Sequence, residues 1–92
     1  MKQETIDRIR KFTEDRDWDQ FHSPANLAKS IVIEAAELLE CFQWDNNYNK
    51  DAVCEELADV VNYCLLMADR LNVDLEDIVL KKLEKNRQKY PV

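Results

Sequence analysis

Two acid pairs are the residues of this sequence whose type and spacing could do chemistry: Glu34 with Glu37, and Glu56 with Asp59. The first reads E-x-x-E inside IEAAELLE (Ile33 to Glu40), the second E-x-x-D inside EELADV (Glu55 to Val60). Side chains three apart on a helix are neighbours on one face. If the two segments form antiparallel helices, four carboxylates meet at one place. Two unit charges about 4 Å apart repel by roughly 4 kcal/mol at an effective dielectric near 20. Such a cluster persists only if it stays wet, takes up protons or binds cations. Hard oxygen ligands without histidine or thiol favour Mg²⁺, with Mn²⁺ as a substitute, over zinc. A water polarised by such an ion is a candidate nucleophile. A di-iron site needs Glu-x-x-His on two helices, and the lone histidine, His22, is nowhere near either motif. The competing reading is a solvated acidic face, because helix surfaces are full of acids at this spacing. Glu40 and Glu55 are read as solvent-facing.

The elements that must position these acids follow from periodicity. Residues 1 to about 16 form a charged helix with Ile6, Ile9 and Phe12 as its stripe. Trp18 to Ser23 (WDQFHS) breaks that pattern. Ser23 caps a second helix, with Pro24 at the first position, where the missing N–H costs nothing. Along it Leu27, Ile31, Glu34, Leu38 and Cys41 alternate steps of four and three, so Glu34 interrupts an apolar seam. Trp44 to Lys50 is polar and turn-like. A third helix runs from about Asp51 to Leu71 on the seam Val53, Leu57, Val60, Cys64, Met67 and Leu71. Its neighbouring ridge carries Glu56, Asp59, Tyr63, Leu66 and Arg70. Asp74 opens a fourth helix, with Asp77 as capping partner, and Pro91 ends it.

The chain of 92 residues reads as a single domain over 1–92. It has no glycine and two prolines, which disfavours tight hairpins. The fold class expected is all-α, a four-helix bundle-type chain. So short a chain buries only about 60–65% of its unfolded surface, so assembly would help it. With 19 acids against 13 bases and a net charge of −6, polymeric nucleic acid and anionic membrane are disfavoured as partners. No apolar run reaches a membrane span and no signal segment is evident, so a cytoplasmic location is expected. Cys41, Cys54 and Cys64 are read as small buried hydrophobes in a reducing compartment.

At the acid motifs the sequence resembles the MazG-type all-α nucleoside triphosphate pyrophosphatases, whose signature is E-x-x-E on one helix and E-x-x-D on the next. The likeness extends to the dCTP pyrophosphatase-like branch through RDWDQFHSPANLA (Arg16 to Ala28), LLECFQW (Leu38 to Trp44), EELADVVNY (Glu55 to Tyr63) and KNRQKYPV (Lys85 to Val92). Many relatives have E-E-x-x-E, whereas Ile33 stands here in place of the first acid, as in that branch. The resemblance implies a homodimer or dimer of dimers. It also implies Mg²⁺-dependent hydrolysis of a (deoxy)nucleoside triphosphate, cytosine-type first, to monophosphate and pyrophosphate, as nucleotide-pool house-cleaning. By position, Glu34, Glu37, Glu56 and Asp59 would be the catalytic metal ligands. Trp18, His22, Trp44 and Tyr63 would fall in or near the base and sugar pocket. Aromatics do offer stacking surfaces for a base, and Tyr63 lies one turn after Asp59. Loop-to-bundle packing is the alternative for Trp18 and Trp44, and the preferred one for Phe21. The basic end of the last helix complements its own C-terminus. A functional reading has Lys85 and Arg87 reaching the triphosphate across a subunit boundary. Two rivals stand beside the enzyme: a non-catalytic helical interaction module, and a sensor that binds a nucleotide without turning it over.

Overall fold

A computed structural model describes residues 1–44 and 46–92. Among them the chain forms four α-helices and no strand: α1 (Gln3–Asp15), α2 (Pro24–Glu40), α3 (Lys50–Arg70) and α4 (Leu75–Lys89). A short 3-10 turn, Trp18–Phe21, links α1 to α2. No helix among the described residues is long and apolar enough to cross a membrane.

Local chemistry sets the helix boundaries. The Ser23 hydroxyl accepts from the Asn26 N–H at 3.1 Å, ahead of Pro24 in the first turn of α2. Asn49 Oδ1 accepts from the Ala52 N–H at 3.1 Å to start α3, and Asp74 Oδ1 from the Asp77 N–H at 3.2 Å to start α4. Each cap satisfies one of the four donors that a helix start leaves unpaired. A chain without glycine must still turn. Asp17 and Asn72 take positive φ, 55° and 56°, a region that short polar side chains tolerate best after glycine. Asn72 ends α3 in a Schellman motif: its N–H donates to the Asp69 carbonyl, and the Val73 N–H to that of Ala68.

Packing is uneven. The α2–α3 hairpin is the spine of the chain, and α1 leans on α3 more lightly. Leu27 is fully buried in the hairpin, and the seam residues Ile31, Leu38, Val60, Cys64 and Met67 are half-buried. Leu65 and Ala68 are buried although they lie off the expected seam, because α3 also turns a face toward Ile6 and Arg10 of α1. Arg10 secures that contact with a two-pronged salt bridge to Asp69. Leu57 remains 50% exposed although it lies on the expected seam. Cys54 is exposed rather than buried, on the outer side of α3, while Cys41 and Cys64 are half-buried; all three are free thiols.

A closed four-helix bundle does not form within one chain. Among the described residues no other element packs substantially against α4, and its apolar residues Ile78, Val79, Leu80 and Leu83 are 41–56% exposed.

Candidate active site

Glu34 from α2 and Glu56 and Asp59 from α3 converge at the middle of the hairpin. One carboxylate oxygen from each lies within 4.8 Å of the others. Glu37 adjoins Glu34 and Glu56. The arrangement follows from the three-residue spacing on two facing helices.

The electrostatics of the cluster disfavour uncompensated negative charge. Glu34 Oε2 and Glu56 Oε2 are buried with no hydrogen-bond partner among the described residues. Burial, then the hydrogen bond and charge of Glu37, then Asp59 and Glu56, push the Glu34 carboxyl from its ordinary 4.5 up to about 7. Burial, then Glu37, Asp59 and Glu55, raise the Glu56 carboxyl as well. Orphaned buried oxygens are rare in folded proteins and call for an explanation. A hard divalent cation is one that fits: the donors are all carboxylate oxygens, and they converge from two rigid helices.

Beside the cluster, α1, the 3-10 turn and α3 line an open cavity of about 450 Å³ whose walls include Phe12, Trp18, His22, Asp59, Asn62 and Tyr63. Asp59 belongs to both cavity and cluster, so the two are continuous. Trp18 meets Phe12 edge-on with centroids 5.7 Å apart. The Arg16 guanidinium lies 3.5 Å from the centre of the Phe12 ring. His22 stands edge-on to Tyr63 at 6.3 Å. The segment carrying Trp18 and His22 is pinned to the end of α3 by Arg70. Its Nε donates to the His22 carbonyl at 2.7 Å and its Nη2 to the Asp19 carbonyl at 2.8 Å.

The MazG-like family model matches residues 29–92, the stretch that holds all four acids. The chain belongs to the MazG-like family. It is 40% identical over 102 residues to dCTP pyrophosphatase 1 of Mus musculus, covering 96% of this chain and 60% of the relative. Against dCTP pyrophosphatase 1 of Homo sapiens it is 40% identical over 101 residues, covering 95% and 59%. The chain therefore spans about 60% of the length of the curated relatives it matches. A pyrophosphatase of known structure from Archaeoglobus fulgidus superposes with a TM-score of 0.90 at 42% identity, covering 97% of this chain and 91% of that one.

In this MazG-like chain the cavity takes in Trp18, His22 and Tyr63 but not Trp44, Lys85 or Arg87. Trp44 is 88% exposed past the end of α2. Lys85 and Arg87 are exposed on α4, where Arg87 grips Glu84 of its own helix at 2.7 and 3.0 Å. Within one protomer these three stand apart from the site. Sequence reasoning passed over Asn62, Arg8 and the anchoring role of Arg70. Asn62 was the most accessible of these, since it sits three residues after Asp59 on the same face. Arg8 could not be placed, because nothing in its segment says which face of α1 meets α3.

Proposed function

We propose that this chain is a nucleoside triphosphate pyrophosphohydrolase, which converts a deoxynucleoside triphosphate, cytosine-type first, to the monophosphate and pyrophosphate. The observation that carries the reading is the continuity of an aromatic-walled cavity with a cluster of unpaired carboxylate oxygens through Asp59. A nucleoside fits the first and cation-neutralised phosphates the second. The names of the relatives, dCTP pyrophosphatase 1 and a pyrophosphatase, support it.

Glu34, Glu37, Glu56 and Asp59 would hold Mg²⁺, or Mn²⁺ in its place. Bound there, the ion would neutralise phosphate charge and lower the pKa of a coordinated water. The chain's own residues do the rest. Trp18 and Tyr63 offer ring faces to the base, and His22 an edge. Arg70 keeps the Trp18–His22 segment in place over α3. The half-buried Glu34 and Glu56 aim charge from two rigid helices at one point, an orientation fixed before substrate arrives. The reaction breaks a phosphoanhydride bond by addition of water, with pyrophosphate as the leaving group.

The assembly proposed is a homodimer or a dimer of dimers in the cytoplasm. In it the bare face of α4 is covered by a second copy, and Lys85, Arg87 and Trp44 can approach a neighbouring site.

The test is incubation with single nucleotides and Mg²⁺, with monophosphate and pyrophosphate resolved as products. Turnover that falls at least about 100-fold in Glu56→Gln supports the reading. No turnover with any nucleotide, or turnover unchanged in that variant, ends it. Binding of a nucleotide without turnover would instead favour a sensor.

A further inference from the structure

Stacking surfaces do not tell bases apart, because every base has a π-face. Trp18 and Tyr63 can hold a base without choosing it, so discrimination must come from a polar group in the same cavity. The described residues offer few. The Thr13 hydroxyl is already committed to the Arg10 carbonyl at 2.8 Å. Thr5 and Arg8 line the cavity but are exposed on α1, where water competes for them. His22 is half-buried on the connection between α1 and α2 and stands edge-on to Tyr63. Asn62, like His22 and Tyr63, is half-buried, lines the cavity and makes no side-chain hydrogen bond to any described residue, but it alone of the three carries a carboxamide, and it does so on the rigid face of α3.

Its position strengthens the case. Asn62 lies three residues after Asp59 and next to Tyr63 on α3, the longest helix of the chain. It is therefore about 4.5 Å further along the axis than Asp59. That order along one rigid face runs from the acidic cluster toward the aromatic walls, the order in which phosphates and nucleoside would lie. A carboxamide presents a donor and an acceptor side by side. The hydrogen-bonding edge of each nucleobase also sets donors beside acceptors. A base that fills the cavity displaces water from this amide; a well-matched edge replaces those hydrogen bonds, and a mismatched one leaves the amide unpaired at a cost in free energy.

We infer that Asn62 is a specificity-determining residue that hydrogen-bonds the polar edge of a nucleobase seated in the cavity between Trp18 and Tyr63. The inference deepens the nucleotide reading and rests on it, but it concerns binding and not turnover. It can therefore be tested without catalysis.

The probes are the four deoxynucleoside monophosphates, each titrated against the full chain by calorimetry or chemical-shift perturbation. The wild type should bind them unequally. Asn62→Leu keeps the branched shape and removes both hydrogen-bonding groups. It should weaken the preferred base by roughly tenfold or more and the least preferred by less than about twofold, so the ranking flattens. Asn62→Asp keeps the acceptor and loses the donor, so it should reorder the ranking instead. Ratios among bases within one variant do not depend on the folded fraction, so partial misfolding cannot mimic the result. A uniform loss for all four bases, as a sugar contact would give, overturns the inference. So does an unchanged ranking in both variants, an undiscriminating wild type, or a wild type that binds none of the four. Intact, Asn62-dependent binding with no pyrophosphate release from any triphosphate would instead sink only the enzyme reading.

Discussion

A carboxylate on an apolar seam changes how the protein responds to pH, and Glu34 is that carboxylate. Its carboxyl sits at about 7 in the folded chain against an ordinary 4.5. Between those values the folded state keeps a proton that the unfolded state has lost. Stability is therefore fully present below about pH 4.5 and falls as pH rises through 7. Thermal melts in chelator from pH 5 to pH 8 should show the midpoint dropping. Millimolar Mg²⁺ should restore it, with a larger upward shift at pH 8 than at pH 5. Glu34→Gln removes one of the repelling charges. In chelator at pH 8 it should raise the midpoint by about 4–8 °C, the shift that goes with roughly 1 kcal/mol in a domain of this size. It should also flatten the pH profile and abolish the Mg²⁺ shift. A midpoint at pH 8 that does not move, or falls, would mean the acids are merely solvated. The convergence itself was legible beforehand, because spacing of three and an interrupted seam fix which face the acids share. Which acid is most perturbed was not legible. Glu34 and Glu37 look alike in sequence, and only the packing buries Glu34 Oε2 with no hydrogen-bond partner among the described residues.

Helix ends were the most readable elements, for a chemical reason. Ser23 and Asp74 announce α2 and α4 through side chains that can reach back to a free N–H, and both do so. The C-terminus of α3 is subtler, since an αL residue there is asparagine and not glycine. Asn72→Val places a β-branched side chain at φ near 56° and should destabilise the chain by about 1–2 kcal/mol. Denaturant melts would show this as a lower midpoint at an unchanged slope, whereas an unaffected midpoint would mean the turn relaxes freely. The connection between α1 and α2 was legible only as a break. What holds it down is long-range: Arg70, at the last turn of α3, bonds two carbonyls some fifty residues earlier in the chain. Arg70→Ala should loosen the Trp18–His22 segment while leaving the acids in place. If the chain turns over nucleotides, KM should rise by about tenfold and kcat change less, because ground-state positioning is lost and the reacting groups are not. A fall confined to kcat would assign Arg70 a different role.

At the scale of the whole molecule, one protomer is more open than a compact monomer of its size. Its accessible surface is 7638 Å², where a compact monomer of 10.9 kDa exposes about 5,600 Å². Its radius of gyration is 15.4 Å against about 12 Å for a compact chain of this length. The excess of roughly 2,000 Å² per chain is what an obligate interface covers. Sequence could show that α4 is amphipathic but not what its apolar face meets, because periodicity names a face and not its partner. The exposed apolar residues of α4 include Ile78, Val79, Leu80 and Leu83, and Leu57 is half-exposed on α3. A helix face of exposed apolar residues is a candidate interaction surface. Sedimentation equilibrium should therefore give a mass of at least two chains, with a melting midpoint that rises with protein concentration. Leu83→Glu puts a charge on that face without touching the acidic cluster. It should shift the mass toward one chain and lower the midpoint, and both effects should weaken as concentration is raised. A wild type that stays at the mass of one chain up to hundreds of micromolar, with a concentration-independent midpoint, would require α4 to fold back onto its own chain. The exposed face of that helix would then need another explanation.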